Sequence, residues 1–587
     1  MRGALATLLG QKLPAPVESA IEKLLLLDRF EPFYESAPSD PRPLAERSLA
    51  RLNVQPQVSE RDVALIPKSG PVVAVANHPF GLIEGLILAA LLRPTRPDVK
   101  LLANHLLAAA PGASEQCIFV DPFGGERAAL SNQKGLKDAI AWLKQGGMLG
   151  VFPAGEVSHL NLKERAVIDP EWNRSVARLI RMTNAAVLPI YFRGSNSALF
   201  QVLGFVHPRV RTALLPHEFF NKHNRAIEVC IGSPIPAAKI RSYQDDLALI
   251  RYLRHRTYLL QNREVPKQFP VPKPFEIASA VPPAEAIANA LLASELKALP
   301  AERTLVETED FSVLLARAHE IPNLLLEIGR LREVTFRQAG EGTGQALDLD
   351  RFDQHYWHLF VWNRQSSEVA GAYRLGPSDE ILARFGPQGF YTNQLFQWKK
   401  PFLDRISPAL ELGRSFVRPE YQKTYAPLLL LWKGIGQFLL RNPQYKLLFG
   451  PVSISNGYTA ASRQLMVKFL SAYRQSGELA PLVRARNPFR QPVSKGAGKL
   501  ADELIGATVW DVEELSALIA DVEMDRKGVP ILLKQYLKLG GELVAFHVDR
   551  RFADALDGLI VVDLRKTDPR VLERYMGKDG ALRFLAH

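Results

Sequence analysis

The sequence predicts an α/β protein built from two domains. Its 587 residues exceed what one hydrophobic core usually organises. Between about residues 61 and 260, short apolar runs alternate with helical stretches, which is typical of a largely parallel sheet covered by helices. A proline-rich stretch then separates a second, differently ordered set of strands and helices. We expect a helical segment over 1–60, an α/β domain over 61–264, a linker with a short helix over 265–299, and a second α/β domain over 300–587.

The elements of the first domain follow from the length and spacing of its apolar runs. Residues 1–50 have leucine-rich amphipathic patterns that predict helices. Four runs of strand length predict buried strands, namely VVAVAN, GMLGVFPAG, AAVLPIYFRG and RAIEVCIGSPIP. Three longer stretches between them predict helices, namely LIEGLILAALL, NQKGLKDAIAWLKQG and RSVARLIRMTN.

The second domain begins near residue 303 with TLVETEDFSVLLARA, which predicts one strand leading into a bend. A helix over IPNLLLEIGRLREVTFRQAG is predicted next, followed by three strands in an antiparallel meander, HLFVWNR, EVAGAYRLGP and ALELGRSFV. The last predicted elements are the helix APLLLLWKGIGQFLLRNP, the strand YKLLFGPVSIS and the helix TAASRQLMVKFLSAYRQ. No repeat relates the two halves.

The cysteine content and the net charge limit which cellular compartment and which classes of partner we expect. With only Cys117 and Cys230, neither a disulfide framework nor a cysteine metal site is expected, which favours the cytoplasm. The net charge of +12 favours acidic partners such as an anionic membrane surface or an acidic protein. Nucleic acid is not expected, because no reading motif accompanies the basic residues. The N-terminus does not fit a signal peptide, and the apolar run at 426–440 is too short for a membrane span.

A histidine directly follows the first predicted strand. Open α/β sheets place their chemistry at the carboxyl ends of strands, where His78 stands with Glu84 six residues further on. Neutral imidazole accepts a proton from a hydroxyl, and a nearby carboxylate fixes its tautomer and stabilises the imidazolium. The pattern predicts a general base with an orienting acid. The alternative is a histidine that caps the turn, with Glu84 as a first-turn acid favoured by the helix dipole.

Four ordered segments between about 60 and 240 resemble the blocks of the glycerolipid acyltransferases, which include lysophosphatidate acyltransferases. They are NHPFGLIEG, CIFVDPFGGER, VFPAGEVS and VLPIYF. The resemblance implies that His78, assisted by Glu84, activates an acceptor hydroxyl for attack on an acyl thioester. It also implies that residues of the first three blocks bind substrate, namely Asn77, Gly81, Arg127, Phe152, Pro153, Gly155 and Glu156.

The sequence departs from this family at three block positions. Ile83 stands where the family has Asp, and Glu84 follows it. Pro122 replaces an arginine that grips glycerol phosphate, and Ala154 replaces an acid. Pairing of arginine with phosphate is a strong charge-assisted contact. Its loss therefore favours an acceptor lipid without a glycerol-phosphate headgroup.

The strand–helix–strand order after residue 409 resembles the core of N-acyltransferases with the acetyltransferase fold. In that fold the acyl-pantetheine arm lies between two splayed strands. Alternation puts Glu411 and Ser415 on one strand face and Arg414 on the other, unless a bulge intervenes. No Gly-x-Gly nest for the coenzyme A pyrophosphate follows Val417. The alternative is a salt-bridged surface strand.

The closer resemblance is to acyl-carrier-protein-dependent enzymes, namely acyl-homoserine-lactone synthases and the N-acyltransferase of ornithine-lipid synthesis. The segments LREVTFRQAG, ELGRSFVRPEYQ, GPVSISNGY, PILLKQYLKLGG and LIVVDLRK carry it. It implies that Glu411 deprotonates an α-amine or orders the water that does so. It also implies that Arg414, with Arg332 and Arg337, orients the substrate carboxylate or an acidic partner. Asp353 and His358, beside an apolar run, are interpreted as structural.

As a whole the chain resembles the bifunctional ornithine-lipid synthases of bacteria. The resemblance implies that the second half N-acylates an amino acid, ornithine first, with a 3-hydroxyacyl group from acyl carrier protein or coenzyme A. The first half then O-acylates the 3-hydroxyl. It implies no cofactor or metal, and a position on the inner face of the cytoplasmic membrane. The stretches 19–33 and 426–440 are candidate membrane contacts, with core packing as the alternative. Two competing interpretations are a lysophospholipid acyltransferase with an accessory domain and a lipid-holding protein without catalysis.

Overall fold

A computed structural model describes residues 33, 42–104, 113–120, 126–204, 208–263, 281–424, 426–490 and 511–587, with the backbone alone at 126–132 and 208–210. The chain divides into two compact units. The first comprises residues 1–264 with 520–526, and the second comprises 265–519 with 527–587. The stretches 19–32 and 264–280, for which a helix and a linker are predicted, lie outside the described residues.

The first unit alternates strands and helices, as the sequence predicts. Its strands are β1 (Gln55–Gln57), β2 (Val72–Ala76), β3 (Val99–Asn104), β4 (Cys117–Val120), β5 (Met148–Val151), β6 (His159–Asn161), β7 (Ala166–Ile168), β8 (Ala186–Phe192) and β9 (Ala226–Ile231). Its helices are α1 (Leu44–Arg51), α2 (Glu60–Val63), α3 (Ile83–Leu92), α4 (Ala113–Gln116), α5 (Glu126–Lys144), α6 (Arg174–Thr183), α7 (Ala198–Leu203), α8 (Pro208–Phe220), α9 (Ala237–Arg241) and α10 (Asp246–Leu259).

The main sheet of this unit has seven strands in the order β1-β9-β8-β2-β5-β3-β4. Every pairing is parallel except β8 with β9, which confirms the largely parallel sheet. β2 lies in the middle, and its five apolar residues are fully buried because both faces of the sheet are covered. Consequently β2 delivers the residues after Ala76 to the carboxyl edge of the sheet, between β5 and β8.

The second unit contains a larger and mainly antiparallel sheet. Its strands are β10 (Thr304–Glu307), β11 (Phe311–Arg317), β12 (Trp357–Asn363), β13 (Glu368–Pro377), β14 (Phe396–Trp398), β15 (Ala409–Val417), β16 (Leu447–Ile454), β17 (Val483–Ala485), β18 (Glu542–Asp549) and β19 (Ala555–Asp563). Its helices are α11 (Asn289–Lys297), α12 (Pro322–Gln338), α13 (Ser378–Phe385), α14 (Lys400–Ile406), α15 (Ala426–Arg441), α16 (Ala460–Tyr473), α17 (Val512–Val522), α18 (Ile531–Lys538), α19 (Pro569–Met576) and α20 (Lys578–Ala586). The residues of α17 from 520 onward belong to the first unit.

Eight strands form this sheet in the order β10-β11-β12-β13-β15-β16-β19-β18. The predicted meander of β12, β13 and β15 is confirmed. The strand and bend predicted at the start of this domain correspond to β10 and a turn at Thr308, whose backbone N–H donates to the Phe311 carbonyl at 2.8 Å. The sequence did not predict that a second strand, β11, follows the turn and makes a hairpin with β10. β15 and β16 pair in parallel over only three residues, Ala409–Glu411 against Leu447–Phe449. Beyond Glu411 the two strands diverge.

A β-bulge interrupts the alternation of β15. Ala372 of β13 pairs with Phe416, but Arg374 pairs with Gly413, so Arg414 and Ser415 together oppose a single residue. Arg414 has φ +48, a left-handed conformation that is uncommon outside glycine and Asn. The bulge changes which strand face the residues after Gly413 occupy.

The apolar run at 426–440 forms most of α15 and packs in the interior of the second unit. Its buried side chains include Leu431, Trp432 and Ile435. The membrane-contact interpretation of this stretch is therefore wrong, and core packing explains its composition. Within the part of the chain that the structure describes, no helix combines the length and apolar character needed to cross a bilayer.

Candidate active site

Asn77 fixes the end of β2 to the end of β8. Its side-chain amide donates to the Phe192 carbonyl at 2.9 Å, and its oxygen accepts from the Phe192 backbone N–H at 2.7 Å. The side chain is buried and does not line the neighbouring cavity. Asn77 was predicted to bind substrate. In the structure both polar atoms of its amide bond to the Phe192 backbone and so position the turn that begins at His78.

The turn after β2 brings Glu84 back to His78. The Nδ1 atom of His78 lies 2.8 Å from Oε1 of Glu84. The same oxygen accepts the backbone N–H groups of Phe80 at 2.8 Å and Gly81 at 2.7 Å. Gly81 has φ +103, and a Cβ there would lie 2.6 Å from Cδ2 of Leu215, so this tight turn requires glycine.

Glu84 is completely buried, whereas 15% of the His78 side chain is exposed. Burial alone raises the pKa of the Glu84 carboxyl, but the charge and hydrogen bond of His78 and the Gly81 N–H hold that pKa below its usual value. The carboxylate therefore stays ionised and favours a proton on Nδ1 of His78. Nε2, for which no protein partner occurs among the described residues, remains to accept a proton. The predicted pair is thus in contact, and the first-turn position of Glu84 also matches the capping alternative.

A second acid, Asp169, binds the backbone of His78. The backbone N–H of His78 donates to Oδ1 of Asp169 at 3.1 Å, and the indole N–H of Trp172 donates to Oδ2 of the same carboxylate at 2.9 Å. The imidazole stacks on Phe152 with ring centroids 4.4 Å apart. Sequence reasoning missed Asp169, because it lies 91 residues from His78 and nothing local marks it.

His78 lines a cavity of about 610 Å³ whose walls are mainly apolar. This volume lies within the range of pockets that bury small organic ligands. Apolar walls suit an acyl chain. Five residues of the predicted site line the cavity with His78, namely Gly81, Phe152, Pro153, Gly155 and Glu156. The side chain of Arg127 lies outside the described residues. Arg211, which sequence reasoning missed, also lines the cavity.

In the second unit, Glu411 is buried at the point where β15 and β16 begin to diverge. The Thr392 backbone N–H donates to Oε1 at 2.8 Å, the Tyr391 N–H donates to Oε2 at 3.3 Å, and the Tyr356 hydroxyl donates to Oε2 as well. Burial raises the pKa of Glu411, while the hydrogen bonds from Thr392 and Tyr356 oppose this rise. Both carboxylate oxygens therefore have protein partners.

The three predicted arginines differ in their surroundings. The bulge places Arg414 between the rings of Tyr391 and Phe552, at 4.9 and 5.0 Å from their centroids, with Nε 3.5 Å from Oδ1 of Asp348. Its Nε has no hydrogen-bond partner among the described residues. Arg332 is fully buried and donates to Asp353 at 2.8 Å. The structure thus brings Arg332 and Arg414 to one network of acids.

Arg337 stands apart from that network. Its Nε donates to Oε1 of Glu333 at 2.7 Å, and its Nη2 donates to the Gln345 carbonyl at 2.7 Å. These contacts tie the end of α12 to the following loop. Arg337, predicted to orient substrate, is thus occupied by structural partners.

Arg374 completes the network and was missed from the sequence. It is buried on β13 and contacts Asp350 at 2.6 Å and Asp353 at 3.3 Å. Burial alone would raise the pKa of Asp353, but the charges of Arg332, Arg374 and His358 hold that pKa well below its usual value. His358 contacts the Asp353 carbonyl at 2.8 Å through Nε2. A charge within the apolar run EVAGAYRLGP was the signal that could have identified Arg374.

Asp557 and Glu341 lie near Arg414 and were also missed. Asp557 on β19 is buried and accepts the Ser453 hydroxyl at 2.7 Å. Burial, with the neighbouring charge of Asp549, raises the pKa of Asp557 to about 7 against the opposing effects of Ser453 and Arg414. Burial raises the pKa of Glu341 to about 8. Among the described residues no group of three or more His, Cys, Asp or Glu could hold a metal ion.

Comparison with known proteins matches two segments of the chain to two families. A family model described as Acyltransferase matches residues 52–265, and one described as Acetyltransferase (GNAT) domain matches residues 331–432. A glycine N(alpha)-acyltransferase of Phocaeicola vulgatus is 32% identical over 238 residues, which are 38% of this chain and 71% of the relative. An L-ornithine N(alpha)-acyltransferase of Brucella abortus is 27% identical, over 30% of this chain and 67% of the relative.

A third relative is named for O-acyl transfer. A lyso-glycine lipid O-acyltransferase of Bacteroides thetaiotaomicron is 27% identical over 188 residues, which are 31% of this chain and 66% of the relative. The two family models confirm the predicted pair of α/β domains. The chain is an acyltransferase that belongs to the N(alpha)-acyltransferase family, with a GNAT domain after an N-terminal acyltransferase domain, an architecture consistent with an ornithine-lipid synthase.

Proposed function

We propose that the chain builds a phosphorus-free diacyl amino-acid lipid through two acyl transfers. The GNAT domain attaches a 3-hydroxyacyl group to the α-amine of an amino acid, and the N-terminal domain then esterifies the 3-hydroxyl. The observation that carries the proposal is the His78–Glu84 pair in the wall of a mainly apolar cavity. Relatives named as N- and as O-acyltransferases support a chain with both activities.

In the O-acyl step, Nε2 of His78 accepts the proton of the 3-hydroxyl as its oxygen attacks the thioester carbonyl. A C–O bond forms and the C–S bond breaks. The imidazolium returns the proton to the departing thiolate. Glu84 stabilises the transient imidazolium, because its charge is buried 2.8 Å from Nδ1. The Phe152 ring stacks on the imidazole and restricts its orientation.

In the N-acyl step, the free α-amine attacks the thioester carbonyl, a C–N bond forms and the C–S bond breaks. The departing thiolate takes the proton that the nitrogen loses after its attack. The α-ammonium must first lose a proton, because only the free amine is a nucleophile. Glu411 is the proposed acceptor, directly or through water, and its raised pKa suits that role. Arg414 is the proposed contact for the substrate carboxylate, because its Nε lies 3.5 Å from Asp348 and has no hydrogen-bond partner among the described residues.

The acyl donor is proposed to be acyl carrier protein, with coenzyme A as the alternative. The net charge of +12 suits an acidic carrier and an anionic membrane surface. We propose that the protein works at the inner face of the bacterial cytoplasmic membrane, where both lipid products partition. No metal or cofactor is needed for either transfer, since a thioester is already activated.

Ornithine is the proposed amino acid, and glycine is the second candidate. The acids Asp557 and Glu341 near Arg414 are the proposed partners of a second substrate amine, because a bound ammonium would favour the ionised form of acids whose pKa burial raises. The relatives with 32% identity are named for glycine, which favours the second candidate. Both amino acids present the same α-amine and α-carboxylate to the domain.

Lipid analysis tests the proposal. The chain is expressed in a bacterium without amino-acid lipids, and the extract is analysed by mass spectrometry for a phosphorus-free diacyl lipid and its amino acid. His78→Ala should accumulate the monoacyl lipid, and Glu411→Ala should give neither product. His223→Ala, an exposed histidine of the same unit, is the matched control and should give the wild-type profile.

Three results would contradict the proposal. An undiminished diacyl product with His78→Ala would remove the assigned base. A new phospholipid in place of the amino-acid lipid would favour the lysophospholipid acyltransferase alternative. Product formation by none of the proteins, with all of them folded, would favour a protein that holds lipid without catalysis.

A further inference from the structure

The cavity beside His78 has one permanent positive charge among the described residues that line it. That charge is the guanidinium of Arg211 on α8, and Glu156 is the one acid of the same lining. The other described walls carry aliphatic, aromatic and small polar side chains. A cation in such surroundings favours an anionic partner, because desolvating an unpaired charge is costly.

Arg211 is held by packing more than by its ion pair. Its methylene groups pack on Gly204, where a Cβ would lie 2.7 Å from Cγ and Cδ of Arg211. Nη2 lies 3.5 Å from Oε2 of Glu156, but 64% of the Glu156 side chain is exposed against 14% of the Arg211 side chain. An ion pair with so exposed an acid is weak. The guanidinium therefore keeps most of its hydrogen-bonding capacity for another acceptor.

The helix that carries Arg211 also contacts the turn of the catalytic pair. Leu215 lies one helical turn after Arg211, on the same face of α8. A Cβ at Gly81 would lie 2.6 Å from Cδ2 of Leu215 and 3.0 Å from Cγ2 of Val157, the neighbour of Glu156. The guanidinium and the imidazole of His78 thus border one cavity from adjoining elements.

We infer that Arg211 binds the α-carboxylate of the acceptor lipid. The inference rests on the proposed function, in which the acceptor is an N-(3-hydroxyacyl) amino acid that keeps its carboxylate. Arginine matches a carboxylate with two parallel hydrogen bonds. Arg211 supplies the matching cation to the cavity from α8.

Glu156 has a defined part in this arrangement. It occupies the guanidinium weakly while the cavity is empty, and the substrate carboxylate displaces it. Removing the Glu156 charge therefore removes a competitor, whereas removing the Arg211 charge removes the binding group. A purely structural ion pair predicts that both substitutions do the same harm, so their opposite effects distinguish the two roles.

The test uses purified full-length protein and synthetic N-(3-hydroxyacyl)ornithine and N-(3-hydroxyacyl)glycine, each as the free acid and as the methyl ester. O-acyl transfer is measured as kcat and KM for the acceptor. Arg211→Gln should lower kcat/KM for the free acid by about 10- to 100-fold, mainly through KM, because a charge-assisted contact is lost. Its effect on the ester should stay below about 3-fold. Glu156→Gln should lower KM for the free acid.

Arg211→Lys should retain part of the preference for the free acid, and Arg225→Gln, an exposed arginine of the same unit, should behave as wild type. Circular dichroism melting checks that each variant is folded. Equal losses for acid and ester with Arg211→Gln, or a loss with Glu156→Gln that matches that of Arg211→Gln, would overturn the inference. If wild-type protein acylates neither acid nor ester, the proposed function fails as well, and His78→Ala then has no activity to remove.

Discussion

The substitution Glu84→Gln separates the charge of the His78–Glu84 pair from its geometry. One carboxylate oxygen, Oε1, meets Nδ1 of His78 and the N–H groups of Phe80 and Gly81. The other oxygen, Oε2, is buried without a partner among the described residues. A glutamine can therefore keep its oxygen in the first position and place its NH₂ in the second. The turn is retained while the negative charge is lost.

The expected loss follows from the distance between the two groups. At 2.8 Å, an effective dielectric constant of about 20 gives an attraction of about 6 kcal/mol as an upper bound. A charge-assisted hydrogen bond contributes about 1.5–3 kcal/mol net. Since the His78 side chain is partly exposed, we adopt about 3 kcal/mol for the stabilisation of the imidazolium. The rate constant of O-acyl transfer should then fall about 100-fold.

The assay follows O-acylation of a synthetic N-(3-hydroxyacyl) amino acid by the purified chain at saturating acceptor. N-acyl transfer by the same preparation is the internal control and should not change, because Glu84 belongs to the other unit. An O-acylation rate within about 3-fold of wild type, in a folded Glu84→Gln protein, would refute the role of the buried carboxylate.

Two further predictions concern a backbone turn and a buried acid. Gly81→Ala puts a Cβ 2.6 Å from Cδ2 of Leu215 on a backbone with φ +103. The unfolding free energy, measured by chemical denaturation, should therefore fall by about 1–3 kcal/mol. The rate of O-acylation should fall more than the rate of N-acylation when both are assayed. Burial raises the pKa of Asp557 to about 7, so the folded protein holds a proton there that the unfolded chain releases above about pH 4. This group therefore stabilises the fold below about pH 4, and that stabilisation is lost as the pH rises to about 7. Asp557→Asn should flatten this part of the pH dependence of the melting temperature, and equal slopes in both proteins would contradict the assignment.

Local patterns were sufficient to predict the elements that position the first site. The apolar run of β2 predicts a buried strand, and a histidine at its end must emerge at the carboxyl edge of the sheet. Six residues suffice for the turn to return Glu84 to His78, so this contact is also local. The predicted contact between the two is thus present in the structure, whereas their catalytic roles stay a prediction.

Residues that approach from distant segments could not be predicted in this way. Asp169 supports His78 from 91 residues away, and Arg211 reaches the cavity from α8. Neither segment contains a local pattern that indicates what its side chains face. Such contacts depend on helix packing, which a single sequence does not specify.

In the second site, the register of the strands could not be predicted from the sequence. The bulge at Arg414 changes the strand face of every later residue of β15, and no residue type in ELGRSFV marks its position. Glu411 was predicted as a base from its motif alone, but the structure gives both of its oxygens protein partners. The network of Arg374 with Asp350 and Asp353 joins β13 to the segment before β12, which requires the sheet order to be known.

Measuring both acyl transfers in one preparation of His78→Ala tests the proposed function. With an amino acid, a 3-hydroxyacyl thioester and a second acyl thioester supplied together, wild-type protein should release the N,O-diacyl product. The variant should form the N-acyl intermediate at the wild-type rate and stop there. Diacyl product from the variant at a rate near that of wild type would contradict the proposal that His78 activates the lipid hydroxyl.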